Sequence, residues 1–356
     1  MKFVRITLLI PISFLNWLFT YLRNKAFDLG LVKTSKFNLA VISVGNLSTG
    51  GTGKTPIVEY LTDLLLQNHF KVATLSRGYK RKTKGYKLAT AETSAIEIGD
   101  EPYQIKRKFN DVYVAVCEKR ITGIKKLLES IPDLDVIILD DAFQHRSVVP
   151  GLNILLSDYS KPYYQDWILP SGNLREAGSN MKRADIIVVT KSPQNITEDK
   201  IKEINNKINP GKLQSLYFSH IEYTEMRSFN EFAKNVFIEQ NSSEYSILLV
   251  SGISNPDPLV NYLKPKFSEV FCMKFADHHY FTMKDFERIN KRYNDITNNK
   301  KIVITTEKDI ARIENTAIEG LFKTIPLYYI PIKVRFCNNE DTSSFNAKIT
   351  NYVRKD

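Results

Sequence analysis

Val41-Ile-Ser-Val-Gly-Asn-Leu-Ser-Thr-Gly-Gly-Thr-Gly-Lys-Thr55 joins an apolar, strand-like run to a glycine-rich turn that ends in Gly53-Lys54-Thr55. Glycines let the backbone curl until several N–H groups face one anion, and a helix opening at Lys54 adds its positive end. Lys54 then has the reach for a β/γ-phosphate, and the Thr55 hydroxyl is a ligand for Mg2+. The strict motif places glycine five residues before Gly53, where Ser48 stands. Gly50 and Gly51 supply the turn instead, so the segment reads as a variant phosphate-binding loop made of Ser48, Thr49, Gly50, Gly51, Thr52, Gly53, Lys54 and Thr55. An incidental lysine in a glycine-rich hairpin would not bring strand, loop and helix in this order.

Outward from this loop, short apolar runs at 39–44, 72–76, 112–116, 136–139, 152–156 and 186–190 predict strands, with helices over 54–68, 101–108 and 118–130 between them. Near-continuous apolar strands separated by helices predict an α/β fold: a P-loop NTPase-like, mostly parallel sheet with helices on both faces. Ligands of such sheets sit at the carboxyl ends of the strands. The pattern weakens through the Asn-, Lys- and Pro-containing stretch 195–211 and resumes with strand-like runs at 246–250, 269–275, 302–305 and 327–332. We therefore expect an N-terminal helical segment over 1–30, a P-loop domain over 31–212, and a second, smaller α/β domain over 213–356.

The 356 residues exceed what one domain usually holds. Cys117, Cys272 and Cys337 share no metal-ligand spacing and cannot pair evenly, which suits reduced thiols. A net charge of +11 fits nucleic acid, acidic lipid head groups and phosphorylated substrates equally. No aromatic-basic stacking motif accompanies it, so nucleic acid is not the expected partner.

Residues 6–22 are largely apolar, with Phe14, Trp17, Phe19 and Tyr21 interleaved, but Pro11, Ser13, Asn16 and Thr20 interrupt them. A spanning helix prefers about 20 clean apolar residues. Flanked by Lys2, Arg5, Arg23 and Lys25, this run instead suits a helix lying in a bilayer interface, the alternatives being a helix packed on the protein's own core and a signal peptide.

Four further groups fall at strand ends or in loops. Ile137-Ile-Leu-Asp-Asp141 is an apolar strand ending in two carboxylates, the arrangement that holds the Mg2+ of a phosphate-binding loop. Gly99-Asp100-Glu101-Pro102 opens a helix, where Asp100 also suits an N-cap. Arg175 and Glu176 close the loop Leu169-Pro-Ser-Gly-Asn-Leu-Arg-Glu176, placed to serve phosphate and metal. Phe275-Ala-Asp-His-His-Tyr280 sets two histidines at a strand end, where neighbours face opposite ways and only one belongs to a given site.

Together these motifs resemble the tetraacyldisaccharide 4'-kinase family, the lipid A 4'-kinases. The resemblance runs through Gly45 to Pro56, Ser76-Arg-Gly-Tyr79, Gly99 to Pro102, Asp140-Asp141 with Gln144-His145, Leu169 to Glu176, Ser251-Gly-Ile253 with Asn255-Pro256, Asp277-His278-His279 and Thr306-Glu-Lys-Asp309. Ala142, Asn173 and Ala177 depart from the family's usual glycine, proline and proline. The resemblance implies transfer of the γ-phosphate of ATP, with Mg2+, to the 4'-hydroxyl of a tetraacyl glucosamine disaccharide 1-phosphate at the cytoplasmic face of the bacterial inner membrane. It implies Asp100 as general base with His278 as its partner and Lys54 on the phosphates. It further implies Thr55, Asp140, Asp141 and Glu176 around the metal, and Arg77, Asn46, His145 and Arg175 toward the substrate.

Overall fold

A computed structural model describes residues 2–236 and 243–355, and the side chains of residues 9–236 and 243–354 among them. The flanking cations Lys2 and Arg5 therefore lie outside the described side chains. The strands are β1 (Ala40–Asn46), β2 (Val72–Ser76), β3 (Lys87–Leu88), β4 (Tyr113–Val116), β5 (Val136–Asp140), β6 (Leu152–Asp158), β7 (Ile186–Thr190), β8 (Ser215–Tyr223), β9 (Arg227–Ser228), β10 (Ser246–Ser251), β11 (Glu269–Lys274), β12 (Lys301–Thr306), β13 (Leu327–Ile330) and β14 (Ile332–Phe336). The α-helices are α1 (Lys2–Asp28), α2 (Lys54–Gln67), α3 (Ala95–Ile98), α4 (Asp100–Lys108), α5 (Arg120–Ser130), α6 (Glu198–Ile208), α7 (Glu231–Lys234), α8 (Asp257–Leu263), α9 (Met283–Asn294), α10 (Glu307–Ile313) and α11 (Asn339–Lys355).

The larger lobe is a sheet ordered β14-β8-β7-β6-β1-β5-β2-β4-β3. All its pairings are parallel except the two at the edges, β14 with β8 and β3 with β4. Strand alternation sends Ile42, Val44, Ile138 and Val114 to one face, where they pack with Ile57 and Leu61 of α2 and Phe345 and Ile349 of α11. Val41, Ala73, Leu75, Ile137 and Leu139 go to the other, against Ile124 and Leu127 of α5. Both faces are thus covered, which explains why these strands read as unbroken apolar runs.

The smaller lobe is a sheet ordered β11-β10-β12-β13-β9. Leu248, Val250 and Val303 face Ile289 of α9 and Ile310 of α10, while Leu249 and Ile304 face Leu259 and Leu263 of α8.

The boundary expected near residue 212 is displaced, and the smaller lobe does not run to the C-terminus. Residues 195–211 contain α6, capped by Thr197, which accepts from the Lys200 N–H, and seated on the core by Ile204 and Ile208. That helix is the crossover that brings β8 parallel to β7, so the polar stretch continues the sheet. The expected strand over 327–332 is two strands divided at Pro331: β13 stays in the smaller sheet, and β14 returns to pair with β8, Ile332 opposite Tyr223. Residues 224–331 are therefore an insertion between the edge strand β14 and its neighbour β8, and α11 closes the larger lobe.

Helix α1 is apolar on the outside. Ile12, Phe14, Leu15, Phe19 and Leu22 are exposed, whereas Ser13 and Asn24 are buried. Ser13 Oγ donates to Ser171 Oγ (2.7 Å), Asn16 Nδ2 to the Leu169 carbonyl (3.0 Å) and Asn24 Nδ2 to Glu176 Oε2 (2.8 Å). Ser13 and Asn16, two of the residues that broke the apolar run, help to dock it. No helix among the described residues is long and apolar enough to cross a membrane.

Candidate active site

β1 ends in the phosphate-binding loop, and its neighbours β5 and β6 lie on either side, which puts the loop at the carboxyl edge where the strand order reverses. Gly50 and Gly53 adopt left-handed backbone, φ +100° and +80°, a conformation that a residue with a Cβ enters only at a cost. The loop is braced from beneath. Asn46, fully buried, donates through Nδ2 to the Ser48 carbonyl (2.7 Å) and to Thr52 Oγ1 (2.8 Å), and its Oδ1 accepts from Lys54 Nζ (3.4 Å). Thr190 Oγ1 donates to the Thr52 carbonyl (2.8 Å), and Lys191 bonds the Gly51 carbonyl and Asp158. Thr49 N–H donates to the Asn173 carbonyl (2.8 Å). Asn46 is thus a strut of the loop, and its buried side chain has no face left for substrate.

The two aspartates at the end of β5 have opposite surroundings. Asp141, at a left-handed φ of +48°, accepts from Arg175 Nη1 at 2.9 and 3.0 Å and lies 3.6 Å from Lys54 Nζ. Burial pushes its carboxyl up, but Lys54 and Arg175 outweigh that and hold it below the usual range. Asp140 is buried, and its Oδ1 has no hydrogen-bond partner among the described residues. Burial first, then Glu101 and Asp141, raise its carboxyl to about 7 against the pull of Lys54 and Arg120. An orphaned buried carboxylate oxygen beside the loop that presents Thr55 fits a hard divalent cation. No cluster of three acidic or metal-ligating side chains exists among the described residues, and Mg2+ needs none, since it is commonly bound through one or two carboxylates, phosphates and water.

The unfavourable burial of Asp140 makes a prediction. A carboxyl whose folded pKa lies above its unfolded one subtracts stability once pH exceeds the unfolded value. Asp140→Asn is therefore expected to raise the melting temperature of the nucleotide-free protein at pH 8 while abolishing magnesium-dependent turnover. A lowered melting temperature, read by circular dichroism, would mean that Asp140 is paired within the protein.

Glu176 does not join the metal group. It is 2% exposed, and both oxygens are engaged: Oε1 by Gln144 (2.9 Å) and Arg183 (2.6 Å), Oε2 by Asn24 (2.8 Å) and Asn180 (2.9 Å). It ties α1 to the loops beside β5 and β7. Arg175 likewise spends Nη1 on Asp141 and Gln144. Arg77 is exposed at the end of β2. It acts with Arg120 and Arg23 on His145, whose imidazole is lowered to about 4 by burial and by this positive field. His145 is therefore neutral in a cationic patch that suits a phosphate.

The other half of the site comes from the smaller lobe. The N-cap of α4 is Gly99, so the cap expected of Asp100 is not its role. Asp100, 3% exposed, receives His278 Nδ1 at 2.8 Å and Arg312 Nε and Nη2 at 2.9 and 2.6 Å, all on Oδ2. Oδ1 accepts only the Glu101 N–H (3.1 Å) among described residues. Burial raises the Asp100 carboxyl, but the His278 hydrogen bond and the charges of Arg312 and Lys308 hold it well below the usual range. Lys308 Nζ lies 3.3 Å from His278 Nε2. An ammonium only donates, so Nε2 is the acceptor in that contact, while Nδ1, 2.8 Å from Asp100 Oδ2, is the ring nitrogen placed to donate to the carboxylate.

His278 and His279 do part company, though not by strand alternation. β11 ends at Lys274, and His278 occupies a turn at φ +58°. His279 Nε2 meets Asp285 Oδ2 (2.9 Å) within the smaller lobe, where Asp285 also forms the capping box of α9 with Thr282. Gln144 and Lys308 stood inside quoted motifs without an assigned role, and Asn24 and Arg312 escaped the sequence reading. For Arg312 a signal existed, an i,i+3 spacing from Asp309 at the end of a quoted motif.

A P-loop facing a buried metal-type carboxylate and a carboxylate–histidine pair defines the class: a P-loop phosphotransferase with two lobes meeting over the nucleotide site. The comparisons narrow it. Residues 5–354 match the family model for tetraacyldisaccharide-1-P 4'-kinase. Relatives named tetraacyldisaccharide 4'-kinase include one from Phocaeicola vulgatus, 43% identical over 98% of this chain and 95% of its own length. Another, from Flavobacterium johnsoniae, is 43% identical over 98% of this chain and 97% of its own. The crystal structure of LpxK from Aquifex aeolicus in complex with ATP aligns with a TM-score of 0.72 at 29% identity, covering 98% of this chain and 99% of that one. The chain belongs to the tetraacyldisaccharide-1-P 4'-kinase family and is an ATP-dependent kinase of lipid A synthesis.

Proposed function

We propose that the chain moves the γ-phosphoryl group of ATP to the 4'-hydroxyl of a tetraacyl glucosamine disaccharide 1-phosphate through the residues described above, at a membrane surface. The placement of Asp100 and His278, one from each lobe and joined at 2.8 Å, carries this reading. A regulatory nucleotide-binding module has no use for such a pair, nor has a nucleic-acid-dependent ATPase.

Lys54 and the loop N–H groups cradle the β- and γ-phosphates. Thr55 and Asp140 would hold Mg2+, whose charge offsets that on the transferring group. The 4'-oxygen attacks phosphorus, the bond to the β-phosphate oxygen breaks, and ADP leaves. Asp100 Oδ1 is the open acceptor for the hydroxyl proton. With Oδ2 taken by three donors, its first task is orientation of the hydroxyl, and proton uptake follows as the new bond forms. Because base and partner sit on different lobes, their approach is a condition of turnover, which limits hydrolysis of ATP by water. The Arg77, His145 and Arg23 patch suits the anionic head group. Incubation with Mg-ATP and tetraacyldisaccharide 1-phosphate is expected to give a product heavier by one phosphate. ATP hydrolysis stimulated by DNA or RNA with no phosphorylated lipid would overturn the assignment.

For the membrane, the supporting observation is the outward apolar face of α1 over a polar docking stripe. Exposed apolar patches of this kind mark contact with another apolar phase, and cytosolic ATP favours the cytoplasmic face of the inner membrane. Phe14, Leu15 and Phe19 replaced together by serine should weaken liposome binding by about 10³-fold or more, since each large apolar side chain contributes roughly 1.5 kcal/mol or more. Activity on detergent-dispersed substrate should survive, because Ser13, Asn16 and Asn24 are untouched. Unchanged liposome flotation would remove α1 as the anchor.

A further inference from the structure

We propose that Arg312 is a positioning residue for the reaction: it fixes Asp100 with Oδ1 turned out to the substrate hydroxyl and makes that alignment depend on docking of α10 against α4. The inference rests on the assignment of Asp100 as the base.

The geometry is specific. Arg312 is 2% exposed, and its guanidinium is fully committed. Nε and Nη2 converge on Asp100 Oδ2, while Nη1 donates to the Gly252 carbonyl (2.9 Å) and to Asp309 Oδ1 (2.8 Å). Asp309 is itself held by the Gly252 N–H (3.0 Å) and Thr306 Oγ1 (2.7 Å). A planar guanidinium used on both edges sets direction as well as charge. Its carboxylate ligand from the larger lobe can sit only where the Gly252 turn and α10 put it. Three donors on Oδ2 leave Oδ1 as the sole oxygen with open acceptor capacity. The groups facing Asp100 are Glu101 on its own helix, Lys308, Asp309 and Arg312 on α10, and Asp277, His278 and Tyr280 after β11. Lys308 is tied to Glu101 and His278, so Arg312 is the cation that bonds Asp100 directly.

The test compares Arg312→Met and Arg312→Lys in the full-length enzyme with lipid substrate and Mg-ATP. Without the guanidinium the Asp100 carboxyl becomes easier to protonate, so the acid limb of kcat against pH moves upward. For Arg312→Met we expect kcat lower by about 10²-fold, KM for ATP within about twofold, and the acid limb raised by about one unit or more. Arg312→Lys, which keeps a charge but loses the two-pronged contact, should shift the limb the same way by less, and it decides the matter if the Met variant does not fold. A lower kcat in folded, ATP-binding variants whose acid limb matches the wild type would reduce Arg312 to a structural bond and overturn the inference. Asp100→Asn separates the two readings. If it retains turnover, the base assignment fails. If it is inactive while the Arg312 variants keep the wild-type limb, only the role of Arg312 fails.

Discussion

Lys54→Ala is expected to lower turnover by about 10³-fold with the fold intact. Among the described residues its ammonium reaches only Asn46 Oδ1 at 3.4 Å and Asp141 at 3.6 Å, and both partners are held elsewhere, Asn46 by the loop and Asp141 by Arg175. Little stability therefore depends on Lys54. In the proposed mechanism its charge lies where negative charge moves toward the leaving oxygen, and a preorganised cation at such a place stabilises the transition state more than the ground state. Steady-state phosphorylation beside a circular dichroism melt checks this. A folded variant with wild-type turnover would mean that the loop is not the ATP site.

The second large effect concerns the pair that spans the lobes. Asp100→Asn and His278→Ala should each lower turnover by about 10²- to 10⁴-fold with nucleotide affinity little changed. The double variant should be hardly worse than the poorer single one, because residues acting as one unit lose their effect together. Asparagine is the better probe at position 100. Asp100→Ala would strip Arg312 of a carboxylate inside the protein, at a stability cost on the order of 3 kcal/mol, and would confuse unfolding with lost chemistry. His279→Ala should matter much less, since His279 is bonded to Asp285 within its own lobe. Additive losses at 100 and 278, or a larger loss at 279 than at 278, would break the pair as drawn.

What could be read from the chain depended on how far its partners lay along it. The phosphate-binding loop and Asp140-Asp141 were legible because strand, glycines, lysine and carboxylates signal locally, within a few residues. Asp100 and His278 are 178 positions apart, and only the family resemblance joined them. The insertion was hidden for a physical reason. β14 is an ordinary alternating strand, with Val334 and Phe336 buried and Lys333 and Arg335 exposed, and nothing in that alternation says which of two sheets it extends. Glu176 and Asn46 were misread alike. Each is a polar side chain beside a ligand site, and sequence cannot tell one that faces the ligand from one that holds the wall behind it.

The insertion also fixes how the smaller lobe can swing. Its two chain crossings meet where Tyr223 pairs with Ile332, so they form one pivot. Lys108, at the C-terminal end of α4, sits on that pivot, bonded to the Ile332 carbonyl (3.5 Å), Glu307 (3.2 Å) and Glu59 (2.6 Å). Asp100 is at the other end of the same helix, a lever arm of about 12 Å for eight residues of rise. Rotation by about 10° would leave the Lys108 contacts nearly in place while shifting His278 and Arg312 about 2 Å from Asp100, beyond hydrogen-bond reach. A lobe turning on this pivot would open like a book whose spine stays stitched, and the Asp100–His278 pair would lie on the page edge, where the smallest turn is felt most.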